Sequence, residues 1–204
     1  MEVEIKHKIE KLLINITAIR DKYEKIAELT GENFNIFKIM SMENNEVYTH
    51  SALIGELLNA KGAHGLKDTF LKLFFQEFEN EEFWGDFRAD FRASKSKAHV
   101  ERNIGIISED KSEGGRIDIV IQDENKRFLI IENKIYAGEQ EKQLVRYKKY
   151  AENYGSNHKI LFLTLRGDLS ANHKEMEGQY LPISYQKHII SWLDKCRKEA
   201  ADRP

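Results

Sequence analysis

The chain is poor in several things, and each scarcity narrows what it can be. It has one cysteine, Cys196, in 204 residues, so an internal disulfide or a CxxC metal knuckle is impossible, a pattern that fits a reducing compartment. Of its two prolines only Pro182 is internal, and no low-complexity linker or internal repeat divides the chain. No apolar run approaches the roughly 20 residues that a membrane-spanning helix requires. Met1 is followed by Glu2 and Glu4 rather than by a basic end and an apolar run, so a cytoplasmic location without membrane insertion is expected. An excess of one charge is missing too: 32 Lys and Arg against 34 Asp and Glu leave −2. That balance excludes a histone-like protein held to nucleic acid by bulk charge, but it permits a local basic patch.

What is present is enough to build a core. Apolar residues make up 41% of the chain, with 11 Phe and 8 Tyr, so a folded domain is expected despite the many charges. A single domain over residues 1–204 is predicted, helical over 1–95 and mixed αβ over 96–204. Ile5, Ile9, Leu12, Ile16, Ile19, Tyr23 and Ile26 recur at alternating four- and three-residue steps, which predicts an amphipathic helix ending at Gly31. That seam can pack on the rest of the chain or pair with a second copy as a coiled coil. Further helices are expected from Phe34 onward, over 51–59, over 66–78, and around Phe83, Phe87 and Phe91, whose spacing reads as core.

After Ser96 the pattern turns to β. Val100, Arg102, Ile104 and Ile106 alternate as in a half-buried strand. A Gly114-Gly115 turn leads into Arg116–Gln122, a polar four-residue turn, and a second strand over 127–136, a β-hairpin. A helix over 139–154, a fully covered strand over 159–165, a short strand over Leu181–Ser184 and a helix through Ile189, Trp192, Leu193 and Cys196 complete the order. A mixed α/β fold follows, with a central sheet of about four to five strands flanked by helices.

Charged residues interrupt both hairpin strands where burial makes charge costly. Glu132 and Lys134 are two apart, so they share a face of one strand. Asp118 stands alone in the apolar run of the other and can lie beside Glu132 across the turn. Two adjacent acids repel, and a bound divalent cation relieves them; a buried ion pair of Lys134 with one acid is the plainer alternative. Glu101, on the preceding strand, can either approach these acids or sit as an ion-paired sheet residue. No Cys or His has zinc-ligand spacing with His50 or His64, which read as residues that fix backbone or border a cleft.

These residues resemble the PD-(D/E)XK nuclease superfamily, through Ile117-Asp118 followed by Glu132-Asn133-Lys134. Gln143-Leu144-Val145-Arg146-Tyr147 is similar to the QxxxY element of its RecB-like branch. The stretch from His50 to Asn59, with Gly62-Ala63-His64-Gly65, resembles a mostly uncharacterised bacterial and phage subfamily, and the likeness spans about Phe34 to Trp192. Ile117 stands where the name-giving pattern has proline. The resemblance implies a restriction-endonuclease-like core and a metal-dependent nuclease, acting on DNA more than RNA. Mg²⁺, replaceable by Mn²⁺, is then held by Asp118, Glu132 and the carbonyl of Asn133, with Glu56 as a further acid by motif position. Lys134 orients and helps deprotonate the attacking water, and Gln143 aligns Lys134 or that water. Tyr147 either packs or touches a phosphate.

Charge is unevenly spread around this motif. Residues 76–86 hold five acids and no Lys or Arg, whereas 142–150 hold four cations and no acid. Lys142, Arg146 and Lys149 are predicted to form one basic stripe for nucleic acid beside the site, or else a solvated helix face. The competing function is an inactive nucleic-acid-binding or protein-interaction module that keeps the fold, dimerising through its first helix.

Overall fold

The computed structural model describes residues 2–30, 46–78 and 81–201. It falls into two units, residues 1–43 and 44–204. The described part of the first is α1 (Glu2–Thr30). Its 29 residues contain neither Gly nor Pro, and Arg20 pairs with Glu24 one turn on at 3.7 Å. The seam from Ile5 to Tyr23 is exposed along its length, each residue by more than half; Gly31 and the Ile26 side chain lie outside the described residues.

In the second unit a π-helical stretch, Glu46–Ser51, runs into α2 (Ala52–Leu57). Then follow α3 (Thr69–Phe75), α4 (Glu81–Trp84) and α5 (Phe87–Asp90). The Phe83-Phe87-Phe91 segment is two four-residue helices rather than one, because Gly85 turns the chain with φ +47° between them. Strands β1 (Lys97–Asn103), β2 (Arg116–Gln122) and β3 (Arg127–Lys134) precede α6 (Gln143–Tyr154). After β4 (Asn157–Thr164) come α7 (His173–Met176), β5 (Leu181–Ser184), a second π-helical turn Tyr185–Ile189 and α8 (Ile190–Ala201). No helix among the described residues is long and apolar enough to cross a membrane.

The five strands form one mixed sheet in chain order. β1, β2 and β3 are antiparallel neighbours, and β3, β4 and β5 run parallel, with α6 as the crossover between β3 and β4. The hairpin turn is the four-residue one that the polar run predicts, closed by Asp123 Oδ1, which accepts from the N–H of Asn125 and of Arg127 at 2.9 Å. β1 stops at Asn103 instead of continuing through Ile106, which is 95% exposed. Alternation along β3 sorts its side chains into two layers. Leu129 and Ile131 face a core built with α2, α3 and α8, whereas Phe128 and Ile130 face Leu144, Tyr147 and Ala151 of α6.

Two glycines mark where helix and sheet approach most closely. Gly55 of α2 lies against Val100 of β1, where an added Cβ would overlap the valine side chain. Gly155, just after α6, leaves room for the Phe128 ring, which a Cβ would meet at 2.6 Å. The sheet thus holds α2 on one face and α6 on the other, and both reach the end of β3.

Candidate functional site

The β2–β3 ladder runs from Gln122 opposite Phe128 to Ile119 opposite Ile131 and goes no further. Beyond it the strands part, and the side chain of Asp118 replaces main-chain pairing: its Oδ2 accepts the Asn133 N–H at 2.7 Å. β3 continues beside β4 as far as Lys134 opposite Thr164. The parting opens a cleft of about 380 Å³ lined by Ser51, Arg116, Asp118, Asn133, Lys134 and Gln143, among others. A second cleft of about 550 Å³ adjoins Lys134 on the side of β4 and the loop after it.

Glu132 is fully buried, and its two oxygens are treated differently. Oε1 receives Lys134 Nζ at 2.6 Å and Gln143 Nε2 at 2.7 Å. Oε2 is buried and has no hydrogen-bond partner. Burial, and then the charge of Asp118, push the Glu132 carboxyl up to about 8, against the opposing pull of Lys134. A carboxylate with one orphaned buried oxygen beside a second acid is a site short of positive charge.

Gln143 spends its amide completely. Its Nε2 also donates to Tyr147 Oη at 2.8 Å, and its Oε1 accepts from the Gln140 N–H at 3.0 Å. Tyr147 in turn donates to the Arg116 carbonyl at 2.6 Å. Burial and the neighbouring carboxylate of Glu132 hold its phenol far above the ordinary range, so it acts as a donor and not as a base. The one-turn spacing of Gln143 and Tyr147 therefore couples α6 to both hairpin strands. Tyr147 is fully buried, packed in the core between α6 and the sheet.

Other sequence-predicted residues are not brought to the cleft. Glu56 is exposed, and its Oε1 accepts from the backbone N–H of Ala63, because the tight turn after α2 presents that donor to the nearest carboxylate. The basic stripe does not form either. The helix begins at Gln143, one residue after Lys142, which sits at φ +54° outside the α6 geometry. Arg146 is only 2% exposed and folds back to the Glu141 carbonyl and, at 2.8 Å, to Gln140 Oε1. Lys142 Nζ donates to the Asp110 carbonyl at 3.1 Å, and Lys149 pairs with Glu113 at 2.6 Å. These cations tie the β1–β2 loop to α6. His64 holds its own loop, with Nδ1 accepting from Leu66 N–H at 3.1 Å.

Two further residues line this cleft. Arg116 is two residues from Asp118 and so shares its face, a signal present in the strand period itself. Its side chain is 61% exposed, and its guanidinium is paired with Glu101. Glu101 stands at φ +56° within β1, where the pairing to β2 passes from Val100 to Arg102. Burial raises its carboxyl, the Arg116 charge works against this, and the Asp118 charge adds to it. Ser51, the other, comes from the π-helical stretch, which has no periodic signature.

Among the described residues no three His, Cys, Asp or Glu side chains converge as a ready-made metal cage. Two carboxylates and a strand-end carbonyl are instead the kind of partial oxygen set that Mg²⁺ completes with water and substrate phosphate. A family model described as the PD-(D/E)XK nuclease superfamily matches residues 34–204. No curated protein matches the chain.

Proposed function

The chain belongs to the PD-(D/E)XK nuclease superfamily, and from that premise we propose that it is a cytoplasmic, metal-dependent nuclease that hydrolyses phosphodiester bonds, of DNA in preference to RNA. The observation that carries this reading is the orphaned, buried Oε2 of Glu132 beside Asp118, at the point where Lys134 enters the same cleft. Asp118, Glu132 and the carbonyl of Asn133 are the groups that would hold Mg²⁺ or Mn²⁺; hard oxygen donors suit both ions. When bound, the cation supplies Lewis acidity and a water of lowered pKa. Lys134, held by Glu132 Oε1, would orient the attacking water and help to deprotonate it. Gln143 fixes the carboxylate from the α6 side. Arg116, paired with Glu101, and Lys134, paired with Glu132, are the cations that line the cleft where a scissile phosphate would lie. The preference for DNA rests on the family resemblance of the motifs.

The test is a substrate panel with purified protein: supercoiled, linear and single-stranded DNA, and RNA, each with Mg²⁺, Mn²⁺ or EDTA. Cleavage that requires the cation and is lost in both Asp118→Ala and Lys134→Ala is the expected result. Activity that survives EDTA, or persists in both variants, rejects the mechanism. The exposed apolar seam of α1 supports a further part of the reading, pairing of two copies through that helix. Solution mass should then fall from dimer to monomer when residues 1–30 are removed, with the fold of the remainder intact by circular dichroism.

A further inference from the structure

Asn133 is the residue of the Glu132-Asn133-Lys134 motif whose side chain lies on the opposite strand face from Glu132 and Lys134. It is 1% exposed. Its amide is gripped from two directions: Nδ2 donates to Ser51 Oγ at 3.0 Å, and Oδ1 accepts from Tyr185 Oη at 2.9 Å. Ser51 is the last residue of one π-helical stretch and Tyr185 the first of the other. Such irregular helical turns are rare and concentrate at functional sites. The edge of the Tyr185 ring also meets His50 at a centroid distance of 6.1 Å.

The need for this grip follows from the sheet. At Asn133 the β2 ladder has already ended, so β4 alone flanks β3 by main-chain pairing there. Yet the peptide groups of Asn133 have demanding tasks. Its N–H is the donor to Asp118 Oδ2, and its carbonyl is the third oxygen of the cation site proposed above. An amide side chain held by one acceptor and one donor of opposite polarity fixes the strand end in a single orientation.

We propose that Ser51 and Tyr185 are positioning residues for the cation site, acting through the Asn133 amide to set the carbonyl of Asn133 and the Asp118 carboxylate. The inference rests on the functional reading above and deepens it. Any substitution at position 133 keeps the backbone carbonyl, so the side-chain clamp can be removed without deleting a ligand. Tyr185→Phe deletes one hydroxyl and leaves the ring packing in place.

The experiment is calorimetric titration of the full chain with Mn²⁺ alone, comparing wild type, Ser51→Ala, Tyr185→Phe, Asn133→Ala and the double variant Asn133→Ala/Tyr185→Phe. Loss of a supporting hydrogen bond to a metal site weakens affinity by about tenfold or more. Tyr185→Phe should show that loss with an unchanged circular dichroism spectrum and with its cleavage rate recovered at saturating Mn²⁺. The double variant should bind no more weakly than Asn133→Ala, since both changes break the same connection. Wild-type affinity in Tyr185→Phe, or deficits that add in the double variant, overturns the clamp. A wild-type protein that binds no Mn²⁺ overturns the functional reading itself, a different outcome from tight wild-type binding with unaffected variants.

Discussion

Glu132 shares one oxygen between Lys134 and Gln143 and leaves the other unpartnered, and that asymmetry has a thermodynamic consequence. With its carboxyl pushed from an ordinary value of 4.5 up to about 8, the folded protein binds this proton more tightly than the unfolded chain does. The resulting stabilisation is complete below the unfolded value and gone once the pH has risen through the folded one. In EDTA, the melting temperature of the wild type should therefore climb as the buffer is taken from about pH 8.5 to about pH 6. Glu132→Gln, which is neutral throughout, should melt higher than wild type at the alkaline end and show a flatter profile. A wild-type profile parallel to that of the variant would mean that Glu132 is ionised at little cost. At this scale the motif residues were readable because strand period and a short turn fix which side chains meet: Asp118, Glu132 and Lys134 follow from the hairpin alone, and Gln143 with Tyr147 from one helical turn. Glu56 was not, because a turn N–H seven residues on captures its carboxylate, a local choice that periodicity does not encode. Ser51 and Tyr185 were invisible for a related reason: they meet Asn133 from distant segments, and nothing in the spacing of either predicts the meeting.

Elements were legible where burial enforces a period and less so where a helix has to begin. Arg116–Gln122 and Leu181–Ser184 stand as read from the alternation and the apolar runs. The α6 start moved from 139 to 143 because Gln140 and Glu141 are used to satisfy Arg146 and Gln143, and with it the expected basic stripe turned partly inward. The packing of α2 on β1 offers a test of the helix that directly follows Ser51. A methyl at Gly55 must displace Val100, and overpacking of a tight contact costs about 1–3 kcal/mol. Gly55→Ala should lower the urea midpoint accordingly, with an unchanged denaturant slope. A neutral effect would mean that α2 can shift away from the sheet, and metal affinity should then drop with it.

For the molecule as a whole, the charge of −2 conceals cations that are already engaged. Arg146 is buried, Lys149 is paired with Glu113 and Lys142 is bound to a carbonyl; the cations that line the cleft are Arg116 and Lys134, themselves paired with Glu101 and Glu132. With about 0.9 log units of salt dependence per phosphate neutralised, two such contacts give binding of uncleaved DNA in Ca²⁺ a log–log slope of roughly −2. A slope near −8 would show that the exposed pairs open to bind phosphate and that the neutralised face is the true track.

The β2–β3 hairpin, closed by its four-residue turn, also bears on how the chain reaches its native state. Hairpins form within microseconds, so Asp118 and Glu132 meet while both are still hydrated and their repulsion is weak. The costly moment comes later, when α6 lays Gln143 and Tyr147 over Glu132 and strips its water. Docking of α6 is then the step that feels the charge. In stopped-flow refolding in EDTA at about pH 8, Glu132→Gln should fold faster than wild type while the unfolding limb stays close to unchanged. The same gain confined to the unfolding limb would place the desolvation after the rate-limiting barrier.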